Sequence, residues 1–89
     1  MKNTVGKDHP SYSISLNHLA KLYNTLEQYD KAIFYGLQAL KFREIIFGNN
    51  HSKVVDVLKL LSEIYSKSGD LKKATEIENR LNQISVENQ

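Results

Sequence analysis

Shifted against itself by 42 positions, the chain pairs Gly6 with Gly48, His9 with His51, Leu16 with Leu58, Leu19 with Leu61, Tyr23 with Tyr65, Lys31 with Lys73 and Ala32 with Ala74. Conservative pairs fill the intervals: Leu22 with Ile64, Tyr29 with Leu71, Tyr35 with Ile77 and Phe42 with Ile84. Two copies of one unit are present. This constrains the fold more than any composition, because a repeated unit that cannot bury its own apolar face must bury it on its neighbour.

Within each copy the apolar residues recur at helical spacing. Tyr12, Leu16, Leu19, Ala20 and Tyr23 share one helical face, and Ser11 after Pro10 is placed to cap its start. The stripe breaks at Leu26-Glu27-Gln28 and resumes as Tyr29, Ala32, Ile33, Gly36, Leu37, Ala39 and Leu40, so a short turn joins two antiparallel helices. Gly48-Asn49-Asn50 supplies the stop, since Gly and Asn tolerate positive φ. The second copy repeats the plan with Val54, Leu58, Leu61, Ser62 and Tyr65, a Ser68-Gly69-Asp70 turn, then Leu71, Ala74, Ile77 and Leu81. The pattern predicts an all-α fold of two helix-turn-helix hairpins, a fragment of an α-solenoid, with helices over 11–26, 29–47, 52–67 and 70–85. The expected organisation is a connector over 1–10, a first hairpin over 11–48, a second over 49–86, and a tail over 87–89.

Composition excludes several classes. With no cysteine among 89 residues, disulfides, thiolate metal sites and thiol chemistry drop out, and a cytoplasmic setting is the expectation. The polar N-terminus has no secretory apolar core, and no stretch reaches the length of a membrane span. The formal charge of +2 comes from interspersed signs: Lys31, Lys41 and Arg43 are offset by Asp30 and Glu44, and Lys72 and Lys73 by Asp70 and Glu76. A nucleic-acid binder gathers its cations on one face, so no nucleic-acid partner is expected, and no membrane partner.

No residues converge into catalytic machinery. His9 and His51 occupy equivalent loop positions ahead of a helix, and a closed metal site needs about four ligands where none cluster. His18 lies beside the first stripe, where a surface or groove contact is the simpler reading. Tyr23 and Tyr65 are read as core rings with a hydroxyl at the edge. No enzyme activity, cofactor or metal is expected.

His9-Pro10, Leu16-Asn17-His18-Leu19-Ala20-Lys21-Leu22-Tyr23, Tyr29-Asp30-Lys31-Ala32 and Ala39-Leu40 before Arg43-Glu44 together resemble the long tetratricopeptide repeat (TPR) of kinesin light chains and their relatives. That subclass uses a unit of about 42 residues rather than the commoner 34. Two departures stand out: Glu27 sits where the motif prefers glycine, and Gly36 and Glu78 occupy a site usually aromatic.

The resemblance implies a protein-protein interaction scaffold or adaptor, in which the first helix of each hairpin lines a concave groove for a partner's peptide or helix. The residues falling there are Asn17, His18, Lys21 and Asn24 in the first hairpin and Lys59, Glu63 and Lys67 in the second. Asn17 matches a groove asparagine of the family pattern, whereas Lys59, His18 and Leu60 depart from it. Lys21, Lys59 and Lys67 favour an acidic ligand. For each of these residues alone a solvated helix face is an equal reading. The competing class is a structural or oligomerising helical module with an idle groove, and a nucleic-acid binder or enzyme fragment is the third.

The two ends differ. Ile33, Phe34, Leu37 and Leu40 align with Thr75, Glu76, Asn79 and Asn82, so the second hairpin reads as a C-terminal cap with a wet outer side. Val5 to His9 resembles the inter-hairpin connector Phe47 to His51, so the N-terminal face is expected to need covering. Upstream residues, a partner, or a second copy in a homodimer through Tyr12, Ile14 and the edge of helix 29–47 would each serve.

Overall fold

The computed structural model describes the backbone of residues 10–87 and the side chains of residues 11–84. The expected connector and the last tail residues lie outside them, and with them the His9 and Gly6 correspondences. Four helices follow in order: α1 Pro10–Thr25, α2 Tyr29–Phe47, α3 Ser52–Ser68 and α4 Leu71–Glu87. Each boundary falls within two residues of the predicted one. α1 starts at Pro10, which places Ser11 inside the first turn rather than at the cap. Proline suits that position because its missing N–H would have had no partner there.

The two hairpin turns are the same turn. Glu27 N–H donates to Asn24 O at 3.0 Å and Gln28 N–H to Tyr23 O at 2.8 Å; Gly69 N–H donates to Ser66 O at 3.2 Å and Asp70 N–H to Tyr65 O at 2.9 Å. This pairing closes the carbonyls of a helix end around one residue of positive φ. Gly69 takes that conformation at φ 93°, and Glu27 takes it at φ 63°. The missing turn glycine is thus a real departure in backbone cost and not in geometry. Between the hairpins, α2 ends at Gly48 with φ 90°, and His51 caps α3 by accepting from Lys53 N–H at its Nδ1, 3.0 Å away. The imidazole stacks on Phe47 with ring centroids 4.6 Å apart, which fixes this helix-entry residue in place.

α1 packs on α2, α2 on α3 and α3 on α4, while α1 also touches α3. α3, which meets all three other described helices, carries most of the core: Val54, Val57, Leu58, Leu61 and Ile64 are all essentially sealed from solvent. Fully burying one such aliphatic side chain contributes about 1.5–3 kcal/mol. Leu61 is 0% exposed, whereas its counterpart Leu19 is only half-buried. Equivalent sequence positions therefore have unequal burial, because α1 has no helix on the side where α3 has α2. The tyrosines divide the same way. Tyr65 is buried, while Tyr23 is half-buried and stacks flat on Tyr35 at 5.6 Å.

Gly36 has a packing role that its departure from the aromatic pattern did not reveal. A Cβ on it would lie 2.7 Å from Leu61 Cδ2 and 3.8 Å from Ala20 Cβ. The pair Ala20 and Gly36 makes a notch into which Leu61 seats. At the equivalent place in the second hairpin, Ser62 donates to Glu78 at 3.1 Å, so a carboxylate occupies what would be the next notch.

The four substitutions along the second helices separate into two kinds. Ile33 and Leu40 pack against the core clusters around α3, whereas Phe34 and Leu37 are exposed. Thr75, Glu76, Asn79 and Asn82 are all exposed on α4.

Candidate functional site

α1 and α3, the first helices of the two hairpins, bring the expected groove residues onto adjoining stripes. Lys21 and Lys59 are exposed, as is His18. Asn24 and Glu63 meet across the seam: Asn24 Nδ2 donates to Glu63 Oε2 at 3.0 Å. Glu63 pairs in turn with Lys67 one helical turn on, at 3.2 Å. The Asn24 hydrogen bond chiefly, with help from Lys67, holds the Glu63 carboxyl below the ordinary glutamate value. Asn24, Glu63 and Lys67 thus form one chain of contacts spanning both helices, and His18, Lys21 and Lys59 stand outside it.

Neither asparagine lies on a solvated face. Asn17 and Asn24 are each 7% exposed, and the Oδ1 of each is buried and hydrogen bonds to no protein group. They sink because α3 lies alongside α1, covering the stripe that includes Ala20. Leaving such an acceptor without a donor costs about 1–3 kcal/mol.

The buried polar anchor of the molecule is Arg43, which the sequence reading treated as one surface charge among others. It is 4% exposed, donates from Nε to Ser13 Oγ at 3.0 Å and from Nη1 to Lys53 O at 2.9 Å. One guanidinium therefore ties α1, α2 and the first turn of α3 together. Burial lowers its pKa, and Asp56 opposes the shift. The signal was present in the sequence: Arg43 follows Ala39 by four residues on the stripe of Ala32 and Gly36, a register that places it on the inner face. On the outer side Arg80 of α4 hydrogen bonds to Glu44 of α2. Burial, followed by the Asp70 charge, raises the Tyr65 hydroxyl above its ordinary value, consistent with a packing residue.

Among the described residues no three His, Cys, Asp or Glu side chains come together as a metal site. Nor is any described helix long and apolar enough to cross a membrane.

The same turn recurs after 42 residues, which marks a repeat, and the sequence comparison supports one repeat family. Residues 14–52 match the tetratricopeptide repeat. The matched segment, a little under half of the chain, runs from the first turns of α1 through α2 to the first residue of α3. It supports a tetratricopeptide family for the chain and agrees with the four-helix architecture. Tetratricopeptide repeats generally mediate protein-protein interaction and are typically non-catalytic. No curated protein gives a significant match to the chain.

Proposed function

We propose that this chain is a protein-protein interaction module whose α1–α3 groove takes a peptide or helix of a partner, with acidic ligands preferred. The observation that carries the reading is the pair of buried, unpartnered amide oxygens of Asn17 and Asn24 on one stripe of α1. Two such amides suit backbone N–H groups of a bound strand after a small side-chain rotation. Glu63 already orients one of them. The exposed Lys21 and Lys59 flank this stripe and supply the preference for acid.

The kinesin light chain-like subclass belongs to the same proposal, supported by the 42-residue spacing and by Asn17. So do a cytoplasmic setting and the expectation of a partner other than nucleic acid or membrane. The competing reading, an oligomerising module with an idle groove, draws on Ile14, Phe34, Leu37 and Ile45, all exposed.

Titration with peptides selected from a random acidic library tests the groove. The double change Lys21→Ala with Lys59→Ala is expected to weaken binding several-fold and flatten its salt dependence while leaving the melting curve nearly intact. Unchanged affinity places the site elsewhere on the molecule.

A further inference from the structure

At the joint between the two hairpins one residue is gripped on both sides. Lys53 N–H donates to His51 Nδ1 at 3.0 Å, and Lys53 O accepts from Arg43 Nη1 at 2.9 Å. Arg43 in turn donates from Nε to Ser13 Oγ at 3.0 Å. A continuous line of hydrogen bonds therefore runs from the His51 imidazole through the first turn of α3 to α2 and on to α1.

The two ends of this line differ in chemistry. Arg43 is buried and always a donor, whereas His51 is exposed to solvent. An imidazole accepts at Nδ1 only while it is neutral, and a second proton turns that nitrogen into a donor, here aimed at another donor. The added positive charge would also stand at the N-terminus of α3, where the helix dipole disfavours it. Histidine is the side chain whose ordinary titration falls between about pH 5 and 8.

The charged groups on the elements meeting there are Arg43 and Glu44 of α2, Lys53 and Asp56 of α3, and Arg80 of α4. Arg80 holds Glu44, and Asp56 acts on the Arg43 guanidinium. Among the described residues neither acid pairs with the imidazole, so neither holds a proton on it. Phe47, stacked on the ring at 4.6 Å, retains it in either protonation state and so makes the pivot rather than the cap.

We propose that His51 is a proton-sensitive clasp at the joint between the hairpins. Neutral, it holds the first turn of α3 on the Arg43 anchor; protonated, it releases Lys53 N–H and loosens the seat of α3 on α2. The stability it supplies belongs to the neutral ring alone, so it is present at the upper end of the histidine range and lost toward the lower end. The clasp lies apart from Asn17, Asn24 and Glu63, and holds whether or not that groove takes a peptide.

Chemical denaturation and NMR of the full chain across the histidine range test it. The folding equilibrium constant is expected to fall about fivefold from the upper end to the lower, the size of a lost helix cap. His51→Asn, which keeps an acceptor at every pH, removes most of that fall, and His18→Asn leaves it in place. Imidazole nitrogen shifts at the upper end place the proton of His51 on Nε2, and the Lys53 amide and Arg43 Nε–H signals move with the same midpoint as the ring. A pH dependence unchanged by His51→Asn overturns the proposal, as does a proton on Nδ1 at the upper end. Failure of His51→Asn to fold overturns it too, since asparagine supplies the same acceptor. An Arg43 signal that stays still while Lys53 moves confines His51 to capping and overturns its link to the anchor.

Discussion

Leu61 of α3 seats in van der Waals contact against Gly36 of α2, so closely that a Cβ on the glycine would come within 2.7 Å of Leu61 Cδ2. In an ordinary helix interior, Gly→Ala stabilises by about 0.5–1 kcal/mol. Here Gly36→Ala is expected to destabilise by about 1–3 kcal/mol, since the new methyl would push on Leu61, a fully buried side chain that can give way only by shifting its core neighbours. Leu61→Ala alone should cost about 2–5 kcal/mol, and the double variant less than the sum, because the new methyl enters the space that Leu61 leaves. Chemical denaturation of the three variants measures the cycle. Additivity would mean that the two sites do not touch.

The two turns predict opposite responses at matching positions. Glu27→Gly relieves a side chain held at φ 63° and should raise stability by about 0.5–1 kcal/mol. Gly69→Ala imposes that strain at φ 93° and should lower it by about 1–2 kcal/mol. Thermal melts compare them directly. A destabilising Glu27→Gly would show that the Glu27 side chain contributes more than its backbone conformation costs.

Removing Arg43 leaves Lys53 O and Ser13 Oγ without its two donated hydrogen bonds. Arg43→Ala is expected to cost about 1–3 kcal/mol or more. Arg43→Lys should rescue little, because a single ammonium lacks the fork that reaches both acceptors. Recovery of full stability by lysine would reduce the role of Arg43 to its charge.

Glu63 gives the groove a pH signature. Its folded pKa is lowered, so its contribution is present above the ordinary glutamate value of 4.5 and is lost as pH falls through the folded value. Asn24→Ala removes the first cause and should move the Glu63 midpoint up toward the ordinary value in a side-chain NMR titration. High salt weakens the Lys67 contribution and leaves the Asn24 hydrogen bond largely untouched. A midpoint unmoved by Asn24→Ala would show that the two side chains do not pair in solution.

The sequence by itself determined the unit, its helices and its turns. Helical spacing along Leu16, Ala20 and Tyr23, glycine at 48 and 69, and the 42-residue shift are properties of the local chain, so each could be read without knowing what lies across from it. The outer face of the last helix was legible for the same reason, since Glu76 and Asn79 are polar wherever they sit. Tertiary structure decided how equivalent positions diverge. Leu19 and Leu61 are the same residue in the same register, and only the presence of α2 beside α3 buries one and leaves the other half-covered. Asn17 and Asn24 read equally as groove residues or as a solvated face, and their burial showed only once α3 lay alongside α1. Gly36 looked like a missing aromatic until Leu61 occupied its place. Arg43 passed for a surface cation until Ser13 and the carbonyl of Lys53 converged on it. Periodicity specifies which face of a helix turns inward, while burial depends on whether another helix stands there to receive it.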